Sequence, residues 1–350
     1  MKNEMINKRY KGETGEIGLK YGIIEATTQC QLACPGCYMV RRNTLRQGQM
    51  TLMQAVNVLD QCRDFCGREL ETMDILGGEP LLWPFLKEYI GILLKRGIAP
   101  WIFTNMLAAT PELVKWLRDR EVHITGKLNI DPNSKSQYEL QAKMIGRDIK
   151  TAERLLEAIN IFIRAGYKDP LLRLQNLIRK DTINYVQDYY RWCLENEVGT
   201  DLELMASGEC INEEYWRIAP TSQMIAQMIK EVQRVRESFG LEPAEVLMPH
   251  VFGSCPFYDK GLYFAVDGHI RSCSNSIICL SNIDEAESVK KAWESRLLCD
   301  RRSLSQMVVG EPCFSCDKDK WKKCRGGCRA TVEGMGNPFG GYTLCPIPYL

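Results

Sequence analysis

Tyr21-Gly22-Ile23-Ile24-Glu25-Ala26-Thr27-Thr28-Gln29-Cys30-Gln31-Leu32-Ala33-Cys34-Pro35-Gly36-Cys37-Tyr38 joins a mostly apolar run to three closely spaced cysteines. Residues 21–26 read as a strand, so the cysteines hang from its C-terminal end. Cys30, Cys34 and Cys37 stand in a C-x3-C-x2-C spacing, with which one short loop presents three thiolates to a single inorganic centre. A 4Fe-4S cluster has four irons and is usually held by four thiolates, so three leave one iron open to an outside ligand. Thiolate sets also bind zinc, and buried cysteines are common in cores, so the loop takes its meaning from its context.

The 350-residue chain carries 45 basic and 44 acidic residues, a net charge of +1. That balance offers no footprint for nucleic acid. Residues 1–20 contain no apolar run, and no stretch of about 18 apolar residues occurs elsewhere, so a cytoplasmic protein without membrane contact is expected. Sixteen cysteines are many for such a chain, and nine of them lie from Cys255 onwards. In a reducing compartment, clustered cysteines point to metal or cluster binding rather than disulfides.

Working outward from the loop, Leu52, Val56 and Leu59 repeat at helical spacing, with Cys62 and Cys66 on the same face as core residues. Thr72-Met73-Asp74-Ile75-Leu76 reads as a second strand that delivers Gly77-Gly78-Glu79-Pro80, where paired glycines let a ligand approach the backbone. The alternation continues with a helix over 84–96, a strand over 100–105 and a helix opened by Thr110-Pro111. A fourth strand over 123–131, a helix over 148–165, a strand over 171–178, a helix over 184–197 and a strand over 201–206 follow. Six strands alternating with helices predict an α/β fold with parallel strands, whose site lies at their C-terminal ends. Helix 221–239 is amphipathic, with Met224, Ile225, Met228, Ile229, Val232 and Val235 as a core face.

The cysteine loop and the GGEP turn about 40 residues further on together resemble the radical SAM superfamily. One departure is Gly36, which stands where many members carry an aromatic, the aromatic here following as Tyr38. The resemblance implies a partial (β/α)6 barrel over 21–220, after an N-terminal extension over 1–20. It implies that the open iron holds S-adenosylmethionine (SAM), that Gly77, Gly78, Glu79 and Pro80 surround the SAM amino group, and that Tyr38 and Asn129 contact the cofactor. From the residues alone, Asn129 reads equally as a turn residue. Cys210, after the sixth strand, is a candidate hydrogen-atom donor or a buried structural thiol, and Glu209 a proton acceptor or a surface residue.

Past the bridging region 221–252, residues 263–271 read as a hairpin turning at Asp267-Gly268. Cys255, Cys273, Cys313-x2-Cys316-x7-Cys324-x3-Cys328 and Cys345 resemble the SPASM domain, here 253–350, although the x7 spacing is commonly about x5. That resemblance implies two auxiliary 4Fe-4S clusters, hence three in all. Cys313, Cys316, Cys324 and Cys345 hold the outer one, and Cys255, Cys273 and Cys328 the inner one. The inner set is one ligand short; Cys279 is a candidate, or the iron is open. A zinc site in a non-catalytic interaction protein is the alternative for the C-x2-C-x7-C-x3-C run alone.

By the same resemblance the chain is an oxidoreductase- or epimerase-type enzyme. It cleaves SAM reductively to a 5′-deoxyadenosyl radical with electrons from a flavodoxin or ferredoxin, and oxidises, cross-links or epimerises a peptide. A small sugar or aminoglycoside-type substrate is the alternative, since only about 20 residues precede the first strand and no peptide-recognition domain is legible. Ser274 stands where sulfatase-maturing relatives have an Asp, which argues against that activity.

Overall fold

In the computed structural model, residues 18–41, 48–204, 213–244, 248, 255, 259–302 and 310–350 are described. Strands β1 (Tyr21–Thr27), β2 (Thr72–Gly77), β3 (Ala99–Thr104), β4 (His123–Lys127), β5 (Leu172–Ile178) and β6 (Gly199–Leu204) occur in the expected order. Each pairs in parallel with the next. The fold is therefore the parallel α/β arrangement of a partial barrel. Among the described residues no helix is long and apolar enough to cross a membrane.

Four helices begin where a side chain satisfies one of their first N–H groups. Helix Leu52–Cys66 opens on a reciprocal cap, with Gln54 N donating to Thr51 Oγ1 at 3.2 Å and Thr51 N to Gln54 Oε1 at 2.8 Å. Thr110, Asp148 and Thr221 cap helices Pro111–Arg118, Ile149–Arg164 and Ser222–Ser238 through their side chains alone, accepting from Leu113 N, Thr151 N and Met224 N. The first of these faces differs slightly from expectation: Ala55, Val58, Leu59 and Cys62 are buried, while Val56 and Cys66 are half-buried.

Helix Tyr138–Ile145 was not legible in the sequence. It occupies residues next to the end of β4, which stops at Lys127 rather than continuing to 131. It ends at Gly146, whose φ of +62° is the left-handed conformation that glycine adopts readily at a helix stop.

Strand residues such as Ile24, Met73, Ile102, Ile124 and Leu174 belong to the main core, packed with the helices. By the two-residue period of a strand, Glu25, Trp101, Thr125, Lys127, Gln175 and Glu203 face the other way, into the barrel. Trp101 stacks on His123 at 4.6 Å between ring centroids and donates to Thr125 Oγ1 at 2.9 Å. Gln175 Nε2 donates to Glu203 across β5 and β6. The inner face is consequently polar, with its half-buried rim at Lys127, Gln175 and Glu203.

The C-terminal hairpin continues this sheet. Strand β7 (Gly261–Phe264) lies parallel to β1, with Ile23 opposite Tyr263, and turns at Gly268 (φ +86°) into β8 (His269–Arg271), which pairs with β9 (Ser281–Asn282). Among the described residues the result is one nine-stranded sheet. Tyr263 donates to the buried Glu25 across the β1–β7 seam. Helix Ser222–Ser238 packs against the barrel helix Val186–Glu195 with its Ile225, Met228, Ile229, Val232 and Val235 buried.

Candidate functional site

The loop after β1 is shaped by a turn. Cys37 N donates to Cys34 O at 3.1 Å, with Pro35 and Gly36 between them and Gly36 at φ +91°. This is a type II turn, which needs a positive φ at its third residue; glycine adopts it without strain. The departure at Gly36 therefore has a backbone cause. Cys30 is exposed, and Cys34 and Cys37 are half-buried. Burial pushes the Cys34 thiol up to about 12, with Cys37 and Cys30 adding to the effect and Lys127 opposing it. The Cys30 thiol is raised as well, because its sulfur is partly desolvated by surrounding protein although the residue as a whole is exposed, with Glu79 and Cys37 among the added causes. The three sulfurs thus lie within electrostatic reach of one another, and their protons must leave when metal binds.

Three elements brace this loop. Ala33 N donates to Ile145 O at 3.1 Å, and Arg147 Nε to Gln31 O at 2.7 Å, from the end of helix Tyr138–Ile145. From the GGEP turn, Gly78 N donates to Thr27 O and Glu79 N to Gln29 O, both at 2.7 Å. Tyr38 Oη donates to Gly77 O at 3.3 Å and ties the third cysteine's helical turn to the same place.

The paired glycines answer first to protein packing. A Cβ on Gly77 would lie 2.4 Å from Thr27 O, and one on Gly78 only 2.3 Å from Gln29 O. The Gly78 and Glu79 N–H groups both serve the cysteine loop. We expect Gly78→Ala to displace Gln29, lower stability by about 1–3 kcal/mol and reduce iron retained at Cys30, Cys34 and Cys37. Thermal melting and iron counts on protein lacking the downstream cysteines check this.

Glu79 is buried, and its carboxylate is fully engaged by protein donors. Oε1 accepts from Thr104 Oγ1 at 2.6 Å and from Leu81 N at 2.9 Å, and Oε2 from Asn105 N at 2.7 Å. It joins the GGEP turn to the end of β3, with Pro80 buried at the start of the following helical turn. Burial raises its pKa from 4.5 to about 7 against these three hydrogen bonds.

Asn129 is similarly engaged. Its Oδ1 accepts from Leu177 N at 3.0 Å, while its backbone N donates to Gln141 Oε1 at 3.0 Å. The side chain thereby joins β4, β5 and helix Tyr138–Ile145. The residue that sequence reasoning missed is Asn105, at the equivalent end of β3, whose Nδ2 donates to Cys30 Sγ at 3.5 Å. Its signal was the Thr104-Asn105 pair closing a predicted strand, as Asn129 closes the next. Lys127, half-buried beside Cys34, was also missed.

The downstream cysteines form two neighbourhoods. Burial raises Cys324 to about 12, with Cys345 and Cys313 adding to it, and Cys345 to about 11, with Cys313 and Cys316 adding. Burial likewise raises Cys273 to about 11, with Cys328 next in effect. Cys279 is exposed and donates to Ser281 O at 3.2 Å. Cys255 is half-buried. Cys210 and Glu209 lie outside the described residues.

Helix Arg329–Gly334 begins at Cys328 and carries the buried Glu333. Glu333 Oε1 accepts from Ile277 N at 2.7 Å, Ile278 N at 2.9 Å and Ser276 Oγ at 3.0 Å, while Oε2 takes Arg301. One carboxylate therefore ties the loop after Cys273 to the helix after Cys328. Among the described residues no three cysteine, histidine or carboxylate side chains converge on a single metal ion.

Parallel strands β1–β6, with three cysteines on the loop after the first, define the class: a partial β/α barrel of the radical SAM fold. Residues 24–193, just under half of the chain, match the model of the Radical SAM superfamily. Among curated relatives it is 26% identical over 216 residues to PqqA peptide cyclase of Streptomyces rochei, covering 58% of each chain. It is 24% identical over 191 residues to a tungsten-containing aldehyde ferredoxin oxidoreductase cofactor-modifying protein of Pyrococcus furiosus, covering 54% of this chain and 51% of that one. The chain thus spans little more than half the length of these relatives. Among solved structures it resembles anSMEcpe with bound AdoMet and Cp18Cys peptide, at a TM-score of 0.71, 15% identity and 95% coverage of both chains. It also resembles Streptococcus suis SuiB bound to the precursor peptide SuiA, at a TM-score of 0.70 and 15% identity, covering 98% of this chain and 80% of that one. These likenesses establish the fold.

Proposed function

We propose that this chain is a radical SAM enzyme that modifies a peptide, with a barrel over 21–220, a bridging region over 221–252 and an auxiliary-cluster region over 253–350. The observation that carries the reading is the three-thiol loop at the C-terminal end of β1, braced by the GGEP turn and joined by Asn105. A donor set of three thiols on one loop fits a 4Fe-4S cluster with one iron open, and SAM suits that opening. When bound, this pair supplies a one-electron reductive cleavage that yields a 5′-deoxyadenosyl radical able to take a hydrogen atom from an unactivated C–H bond.

The chain's own residues orient the loop and supply charge beside it. Lys127, half-buried at the barrel rim, places positive charge near Cys34. Cys313, Cys316, Cys324 and Cys345, with Cys255, Cys273 and Cys328, suit two further clusters, which relay or accept electrons. A peptide substrate is favoured by the relative that is a PqqA peptide cyclase and by the peptides bound to the two structural neighbours. Oxidation, cross-linking and epimerisation are the outcomes open to it.

Anaerobically purified protein is expected to contain about twelve irons with matching sulfide, the sum of three four-iron clusters. Under dithionite it is expected to convert SAM to 5′-deoxyadenosine. Zinc with no visible absorption band would overturn the reading. Co-expression with candidate precursor peptides, followed by mass spectrometry, separates peptide modification from sugar chemistry.

A further inference from the structure

We propose that Asn105 is a positioning residue that hydrogen-bonds the Cys30 sulfur and sets the reduction potential of the cluster held there. This rests on the reading that Cys30, Cys34 and Cys37 bind a 4Fe-4S cluster. The amide's orientation follows from its partners. Asn105 Oδ1 accepts from Leu107 N at 2.9 Å, so Nδ2 is the atom turned towards the loop. Its two hydrogens serve Cys30 Sγ at 3.5 Å and Gln31 Oε1 at 3.2 Å.

The residue is 6% exposed, and its backbone N is held at 2.7 Å by Glu79 Oε2. A second donor, Leu32 N, reaches the same sulfur at 3.4 Å. Two N–H groups on one sulfur stabilise the more negative, reduced cluster, because hydrogen bonds to the sulfurs are among the settings of cluster potential. Since the amide is locked at Oδ1 and at its backbone, the donor is in place before the electron arrives.

The test uses protein whose auxiliary set is removed by Cys313→Ala, Cys324→Ala and Cys328→Ala, so that one cluster remains. Iron content and the reduced-state EPR signal of this parent establish the cluster; their absence would fail the underlying reading, not this one. Asn105→Asp keeps an acceptor for Leu107 N and removes the donor to sulfur. In a potentiometric titration with dithionite as reductant, the ratio of reduced to oxidised cluster at a given potential is expected to fall about tenfold, equivalent to 59 mV for a one-electron couple. Asn105→Ala is expected to move it in the same direction. Unchanged midpoints in variants with full iron would overturn the proposal. Should both variants lose the cluster, the parent carrying 15N in its asparagine side chains decides the matter: a 15N hyperfine coupling to the reduced cluster supports the contact, and its absence overturns it.

Discussion

Replacing Glu333 by alanine is expected to lower stability by about 3–5 kcal/mol, the cost of stranding a buried charge. Glu333 is 4% exposed and its partner Arg301 is 2% exposed. Removing the carboxylate leaves the guanidinium without its anion and takes the acceptor from Ile277 N, Ile278 N and Ser276 Oγ. Each buried donor left without an acceptor adds about 1–3 kcal/mol in isolation, although the loop's relaxation prevents a simple sum.

The damage is expected to be local in its chemistry. Because the network lies between Cys273 and Cys328, iron should be lost from the downstream sites before the loop after β1. Glu333→Gln keeps one acceptor for the two amides but turns an NH2 group towards Arg301, so it should fall near alanine. Adding Arg301→Met to Glu333→Gln should restore part of the loss. Denaturation midpoints and iron counts on the three variants are the check; an unchanged midpoint in Glu333→Ala would refute this role.

Glu79→Gln should show the second largest effect, and it should appear as a pH dependence. Burial lifts the Glu79 pKa from 4.5 to about 7, so the native protein holds a proton that the unfolded chain has already released in that interval. Stability from this group is therefore complete below about pH 4.5 and is lost as pH rises to about 7, by about 3 kcal/mol. Glutamine cannot ionise. The wild-type advantage over the variant should accordingly shrink by that amount between pH 4.5 and 8.

At pH 5 the variant should still be the weaker protein. Its amide places an NH2 group opposite Asn105 N, replacing an acceptor with a donor in a buried site. Chemical denaturation of both proteins at pH 5 and 8 tests the sign, and a difference independent of pH would show that Glu79 is ionised throughout. Loss of cluster iron should accompany the release of Asn105 at either pH.

The six-strand alternation, the cysteine loop, the GGEP turn and the Asp-Gly hairpin were all legible in the chain. Each is written in neighbouring residues: a period of two or 3.6, a glycine at a turn, a cap before a helix. The C-x3-C-x2-C and C-x2-C-x7-C-x3-C groups were legible for the same reason, since their spacing lies within short stretches. Helix Tyr138–Ile145 escaped because eight residues between two turns give little periodicity. Gly36 was legible as a departure, but its cause was not, because a positive φ is a property of the folded turn.

What only the tertiary structure decided is which distant groups meet. Glu79 reaches Thr104 and Asn105 across 25 and 26 residues, Asn105 reaches Cys30 across 75, and Glu333 reaches Ser276 across 57. The joining of β7 to β1, which merges the hairpin into the barrel sheet, spans a still longer separation. Local pattern in a sequence reports the periodicity of one element, whereas a buried hydrogen bond between two elements depends on their packing, which no single stretch of residues encodes.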